Sequence, residues 1–373
     1  MEASLMDKER RMDDTKMLWH MDRVMAWLDR GERVPPVHID AGLTKKCNER
    51  CIYCYGFFQN MTGEVMSRDA LVENLVRSGA RIGLRSLAFI GDGDPTLNPA
   101  LYEALQVGKK EGLSLSISTS GILLNTDERI ATVLESCEWM RFNISAFTVE
   151  GYASIHRVSE KARNMVLDNI RRMVEYKHKH GLTCDIGLQT VFVPSGDMPN
   201  ELEALAKFAV EVGVDYHVIK QCSLPDGGES GMVHFEMSDY DRPEIVDLLK
   251  RVEALSTKQT QIIPKWTLIQ QKGEKPYENC SSIPFISEVS GNGDWYPCGY
   301  MFGGKPQWKD FRFGNLHEQS LEEMWSSDRY WDIVRFMDKE FDVHTMCHGC
   351  CRQDKCNEFA YTYKNKPKGV NFI

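Results

Sequence analysis

Three cysteines carry the first chemical signal: Cys47, Cys51 and Cys54, in the run Cys47-Asn48-Glu49-Arg50-Cys51-Ile52-Tyr53-Cys54. One loop offering three thiolates can hold three corners of a four-iron cluster and leave the fourth iron open to a substrate or cofactor. Structural zinc takes four protein ligands, commonly as paired CxxC motifs, and fits a lone trio poorly. A second group, Cys280, Cys298, Cys347, Cys350, Cys351 and Cys356, crowds the C-terminal part, with Cys137, Cys184 and Cys222 scattered between. Twelve cysteines exceed what packing requires. The N-terminus mixes charges with methionines and lacks the apolar block of a signal peptide, so the expected compartment is the reducing cytoplasm. There, clustered cysteines point to metal or catalysis before disulfides.

The elements that must position these residues follow a repeating pattern. Residues 8–31 read as an amphipathic helix, broken before the first strand by Pro35 and Pro36. Apolar or alternating runs at 37–43, 86–90, 113–119, 139–145, 185–193 and 214–220 read as strands, each followed by a helical segment. Six βα units in series predict an α/β fold with parallel strands, best suited by a partial (β/α)6 barrel. Chemistry in such barrels gathers at the carboxyl ends of the strands. The cysteine trio, the loop at 91–95, Ser118–Gly121, Ser145 and Cys222 all fall at those ends. A Gly-rich crossing at 223–231 precedes a region of short segments, turns, aromatics and six cysteines, which reads as a small auxiliary domain held by metal. The expected division is an N-terminal helix at 1–35, a barrel at 36–257 and the cysteine-rich domain at 258–373.

Composition narrows the partners. The chain has 373 residues, a net charge of −9, and no basic stripe interleaved with aromatics, which argues against a nucleic-acid partner. No run approaches the ~18 apolar residues of a membrane span.

The trio, with an aromatic residue, Tyr53, before its third cysteine, resembles the signature of the radical S-adenosylmethionine (SAM) superfamily over roughly residues 36–225. The resemblance implies a [4Fe-4S] cluster on Cys47, Cys51 and Cys54 whose open iron chelates the amino and carboxylate groups of SAM. One electron then releases a 5′-deoxyadenosyl radical that abstracts substrate hydrogen. An external donor such as flavodoxin or ferredoxin would supply that electron. The family's Gly-Gly-Glu-Pro segment is matched by Gly91-Asp92-Gly93-Asp94-Pro95, with Asp94 in place of the acid. The shorter Asp94 side chain leaves the methionine ammonium to backbone carbonyls. By the same resemblance Ser118 stands near the cofactor, Ser145 is a ribose contact, and Arg157 pairs with the methionine carboxylate. Read without it, a strand-end serine is a turn cap and an arginine a solvated charge.

Cys280, Cys298, Cys347 and Cys350 resemble the ligand set of the SPASM and twitch auxiliary-cluster domains, which implies one auxiliary [4Fe-4S] cluster. Cys356 sits where the SPASM pattern has its next cysteine. Its following partner would fall at Ala360, which argues against two complete extra clusters. Either Cys351 or Cys356 could replace a named ligand, and tetrahedral zinc also suits four such cysteines.

Cys137 and Cys184 read as packing residues. Cys222 follows Lys220-Gln221 at the active end of the sixth strand, where it reads equally as a packed thiol and as a donor whose weak S–H bond could return a hydrogen atom to a substrate radical. The one-cluster cysteine count resembles that of twitch enzymes acting on aminoglycoside-type substrates, which implies epimerisation or dehydrogenation of a small polar metabolite: a sugar, aminocyclitol or sugar nucleotide. The alternatives are a peptide-modifying maturase, disfavoured by the short segment before the barrel, and a non-enzymatic iron–sulfur or zinc protein.

Overall fold

The computed structural model describes residues 14–54, 61–222, 233–271, 273–303, 306–347 and 351–372. Cys350 and the whole of the expected crossing at 223–231 lie outside them. Ten strands form one sheet: β1 (His38–Ala41), β2 (Ser86–Phe89), β3 (Ser114–Thr119), β4 (Trp139–Asn143), β5 (Asp185–Phe192), β6 (Tyr216–Gln221), β7 (Gln261–Pro264), β8 (Ile286–Val289), β9 (Asp294–Tyr296) and β10 (Gly314–Asn315). Their order is β10-β9-β8-β1-β2-β3-β4-β5-β6-β7.

From β1 to β7 spatial order follows chain order and every pairing is parallel. Crossovers of one hand put the helices of such a sheet on one face, and the sheet curls around the other. Residue parity fits that description. Ile39, Leu87, Ile117, Phe142, Leu188 and Ile219 point one way and are fully buried. The opposite parity carries Asp40, Ser116, Ser118, Arg141, Asn143, Gln189 and Lys220, and this polar face is the inside of the partial barrel. The six strands expected from sequence are all present. A seventh, β7, continues the parallel run and lies beyond residue 257.

Helix ends use ordinary side-chain caps. Thr126, Thr148 and Ser159 each accept a backbone N–H in the first turn of the helices Asp127–Ser136, Val149–Ile155 and Glu160–His180.

The C-terminal region joins the barrel through its sheet. β8 pairs in parallel with β1, and β9 and β10 follow antiparallel. The region is more regular than its composition suggests. Trp295 stacks on Tyr330 at 4.8 Å, Tyr330 meets Trp331 edge-on at 5.0 Å, and Trp331 reaches Trp27 of the helix Met21–Leu28 at 5.6 Å. Aromatic burial on that scale gives the region a packed core that is continuous with that of the barrel.

Candidate active site

The cysteine loop leaves β1 and is gripped from two sides. On one side Asp94 N–H donates to Lys46 O at 2.8 Å. Gly91 and Gly93 make that approach sterically possible. A Cβ at Gly91 would sit 2.3 Å from Gly42 Cα, and one at Gly93 would sit 2.3 Å from the carbonyl oxygens of Thr44 and Lys46. On the other side, Arg50 N–H donates to His156 O at 3.0 Å and Ile52 N–H to Ile155 O at 2.9 Å. The loop is thus pinned between the β2 and β4 exits, and its three thiols are half-buried there.

Burial and the nearby Asp94 push the Cys47 thiol up to about 12, with Cys54 adding to the effect. Burial, then Glu49 and Cys54, raise Cys51 as well. Mutual repulsion of this kind places the three sulfurs together. Thiols so costly to ionise persist as thiolates only when a metal supplies positive charge, which is the donor set an iron–sulfur cluster needs.

A buried group missed by the sequence reading backs Cys51. The His156 ring accepts the Ser145 N–H at Nε2, 2.9 Å away, so its proton sits on Nδ1. Nδ1 faces Glu49 Oε2 at 3.0 Å and Cys51 Sγ at 3.2 Å. Tyr152 stacks on the ring at 4.4 Å and donates to Glu49 Oε1 at 3.5 Å. Glu49, Cys51 and His156 offer ligand atoms within 4.8 Å of one another. With Nδ1 protonated, however, His156 donates toward Glu49 Oε2, with Cys51 Sγ close beside it, rather than offering a ligand lone pair there. Glu49 lies inside the cysteine motif and His156 beside Arg157, so position alone could have flagged both.

The expected cofactor residues divide by what their side chains already hold. Asp94 Oδ1 accepts from Thr96 N–H at 2.9 Å, and Oδ2 accepts from Ser120 N–H at 2.7 Å. The hydroxyls of Thr96 and Thr119 also bond this carboxylate. Its capacity is spent on shaping the loop, and Pro95 opens the short turn Pro95–Leu97 that Asp94 caps. Asp92 turns away toward the C-terminal region. It accepts from Ser290 Oγ at 2.7 Å and Gly291 N–H at 2.9 Å, with Lys45 Nζ at 3.7 Å. Burial raises its carboxyl.

Ser145 Oγ donates to Tyr53 Oη at 2.8 Å and accepts Val191 N–H at 3.1 Å. The fourth-strand serine and the motif tyrosine are therefore direct partners. Ser118 Oγ faces inward, between Arg141 Nε and Asn143 Oδ1, each 3.0 Å away. Arg157 is exposed and holds a left-handed backbone, φ 57°, in sequence with the pinned Ile155 and His156 carbonyls. Such a conformation is unfavourable for a non-glycine residue and persists because its neighbours fix it.

The second cysteine group gathers in part. Burial raises the Cys298 thiol, with Glu288, Cys347 and Cys280 adding to it. Cys351 is raised by burial, then by Asp354, and further by Cys347 and Cys280. Cys280, Cys298, Cys347 and Cys351 are thus electrostatic neighbours. Asn357 Nδ2 donates to Cys280 Sγ at 3.4 Å, and Gln353 N–H to Cys351 Sγ at 3.2 Å. The Cys356 sulfur instead lies 3.7 Å from Met17 Sδ, on the N-terminal segment. Cys137 and Cys184 are buried beside each other at the opposite ends of the strands.

Comparison with known proteins gives this geometry a family. The model of the "Radical SAM superfamily" matches residues 42–209, and that of the SPASM "Iron-sulfur cluster-binding domain" matches residues 280–351. The chain belongs to the radical SAM superfamily. Its SPASM match ends at Cys351 and excludes Cys356. Family membership carries SAM, the cluster that binds it, and an auxiliary iron–sulfur cluster as cofactors.

Among relatives, a tungsten-containing aldehyde ferredoxin oxidoreductase cofactor-modifying protein from Pyrococcus furiosus is 24% identical over 84% of this chain and 87% of its own length. An Fe-coproporphyrin III synthase from Methanosarcina barkeri is 23% identical over 84% of this chain and 80% of its own length. The crystal structure of Streptococcus suis SuiB bound to S-adenosylmethionine superposes with a TM-score of 0.63, covering 96% of this chain and 82% of SuiB at 15% identity. At that identity the likeness bears on the fold alone. No helix among the described residues is long and apolar enough to cross a membrane.

Proposed function

We propose that this radical SAM enzyme holds its substrate, a small polar metabolite, inside the partial barrel and epimerises it, with Cys222 as the hydrogen-atom donor. When bound, the cluster on Cys47, Cys51 and Cys54 together with SAM supplies a 5′-deoxyadenosyl radical that removes one hydrogen atom from an unactivated carbon. The chain's own residues do the rest. Ser145 and Tyr53, already bonded to each other, offer hydroxyls for the ribose, and Arg157 offers a cation for the methionine carboxylate. With Asp94 spent on Thr96, Thr119 and Ser120, the ammonium falls to carbonyls of the Gly91–Asp94 turn. Cys280, Cys298, Cys347 and Cys351 would hold the auxiliary cluster. An external reductant supplies the electrons.

The observation that carries the epimerase reading is the state of Cys222. It is 1% exposed, and burial pushes its thiol up to about 12. Its N–H is anchored to Phe192 O at 3.1 Å and Tyr240 Oη at 2.9 Å. A hydrogen-atom donor must carry its S–H, and this one keeps it at any physiological pH. Parity puts it on the same side of its strand as Lys220.

A dehydrogenase reading draws on Glu288. It opposes Asp40 on the inward face and lies electrostatically next to Cys298, and burial raises its carboxyl. A base beside an auxiliary cluster suits loss of a proton and an electron.

Reaction in heavy water separates the two. Epimerisation should place one solvent deuterium in the product and lose it in Cys222→Ala. Retention of the deuterium in that variant refutes the donor. An oxidised product without deuterium supports the dehydrogenase.

A further inference from the structure

The inner face of the sheet carries cations that cofactor binding does not use. Arg141 on β4 opposes Ser118 on β3 and Gly187 on β5, and Lys220 on β6 opposes Val191 on β5. Lys265 directly follows β7, and its N–H donates to Ile219 O at 2.9 Å, which continues the ladder past the Ile219–Pro264 pair. Lys220 and Lys265 therefore stand side by side on strands about 4.8 Å apart. A polar row sits beneath them: Ser118 Oγ and Gln189 Nε2 both bond Asn143 Oδ1 at 3.0 Å, and Arg141 Nε is tied to the same serine. The Arg141 guanidinium also lies over the Trp139 ring, 5.1 Å from its centre. These contacts aim the guanidinium without neutralising it.

The carboxylates of this face are engaged elsewhere. Asp40 accepts from Arg352 Nε at 2.8 Å and pairs with His38 Nε2 at 2.8 Å. Glu288 accepts the Gly299 N–H. Among the described residues, Arg141, Lys220 and Lys265 make no ion pair. Burial, then Arg141, lower Lys220 to about 8. Burial, then Arg141, Arg352, Lys220 and Lys16, lower Lys265 to about 7. Convergent half-buried cations without counter-charge are costly unless an anion joins them.

We infer that the inner face from β4 to the end of β7 is an oxyanion subsite, in which Arg141, Lys220 and Lys265 receive a phosphate or carboxylate group of the substrate. This rests on the reading that substrate occupies the barrel, and it narrows the class to small anions. A sugar phosphate or polycarboxylate fits, whereas a neutral sugar or a cationic aminocyclitol does not. Because Lys220 lies two residues before Cys222, an anion held here places the adjoining carbons near the thiol.

The test is anaerobic calorimetry at pH 8 on cluster-loaded protein with SAM, using fructose 1,6-bisphosphate, tricarballylate, fructose and glucosamine as probes. At least one anion should bind tenfold or more tightly than both fructose and glucosamine, and whichever is tighter identifies phosphate or carboxylate as the source. An anion raises the affinity of both lysines for protons. Binding should therefore take up protons, read from two buffers of different ionisation enthalpy. Among the described residues, the other charged groups acting on the pair are Arg141, Arg352, Lys16 and Asp40, with His38 and Glu288 next to Asp40 and the Cys222 thiol beside Lys220. Lys220→Gln and Lys265→Gln should each weaken anion binding about tenfold, the loss of one charge-assisted contact. Lys265→Arg should keep the binding and lose part of the proton uptake.

Anion affinity no better than that of fructose, or unchanged in both glutamine variants, overturns the subsite. Formation of 5′-deoxyadenosine in the same preparation tests the radical enzyme separately. If that chemistry is intact while the anions fail to bind, the subsite alone falls. Anion binding without that chemistry removes the enzymatic reading instead.

Discussion

The Asp94→Asn substitution tests most directly how the cofactor loop is built. The carboxylate is 3% exposed, and its two oxygens accept from two different backbone donors, Thr96 N–H on Oδ1 and Ser120 N–H on Oδ2. Neighbouring hydroxyls can rotate to accommodate an amide, but a backbone N–H cannot reverse. Whichever way the asparagine is flipped, its NH2 meets one of those donors. Leaving a buried donor unsatisfied costs about 1–3 kcal/mol. The other bond falls from a charged acceptor to a neutral one, a further loss of about 1 kcal/mol. The sum, about 2–4 kcal/mol, corresponds to roughly 30- to 700-fold in a local opening equilibrium.

Amide hydrogen exchange by mass spectrometry, on peptides containing Thr96 and Ser120, should show acceleration in that range. Asp127→Asn serves as the control, since its carboxylate is 80% exposed in a surface pair and should leave those peptides unchanged. Exchange within about twofold of the parent would refute the idea that Asp94 shapes the loop. A variant with parent-like exchange but lost SAM affinity would show that the carboxylate binds cofactor directly.

Other consequences are equally concrete. Cys351→Ala should remove the auxiliary cluster signal in electron paramagnetic resonance and lower iron content, while Cys356→Ala should leave both in place. Gly151→Ala puts a Cβ 2.2 Å from the Glu201 carboxyl that accepts the Phe147 and Thr148 N–H groups at 2.6 and 2.8 Å. It should destabilise the chain by about 2 kcal/mol or more in urea unfolding and loosen the His156 side of the cysteine loop. Burial lowers His217 to about 3, so the folded chain refuses a proton that the unfolded chain accepts near its ordinary value. Stability should therefore fall as pH drops from about 6.5 toward 3, with this residue contributing up to about 1.4 kcal/mol per pH unit. His217→Gln should flatten that slope in unfolding measured against pH. Cys222 runs the opposite way: its raised pKa favours the folded chain until pH passes about 9, and that advantage is lost between about 9 and 12. Cys222→Ala should be less sensitive across that interval.

Sequence alone determined the fold class and the chemistry of the first loop. Strand periodicity is written in local residue types, and six βα units in series leave few topologies other than parallel ones. The spacing of Cys47, Cys51 and Cys54 is likewise local, because one short loop can bring its own thiols together. Tertiary structure decided whatever depends on distant segments meeting. β7 is four residues long, too short to announce itself beside a turn-rich stretch, and pairing with β6 defines it. Spacing could not choose among Cys350, Cys351 and Cys356, since a CxxCC run offers several sulfurs from nearly the same position. The fold puts Cys351 beside Cys280 and Cys347 and turns Cys356 toward Met17, while Cys350 lies outside the described residues.

Glu49 and His156, 107 residues apart, met only through the packing of the helix Val149–Ile155 under the loop. In sequence Asp94 only matched the position of the family's acid, and the approach of Thr119 and Ser120 showed where its hydrogen bonds go. The cationic face is the clearest case. Arg141, Lys220 and Lys265 are unremarkable charges along the chain; the register of β6 and β7 pairs the lysines, and Arg141 acts on both from β4. A residue's chemical type is carried by the chain, but its electrostatic environment is the sum of everything folding brings near it.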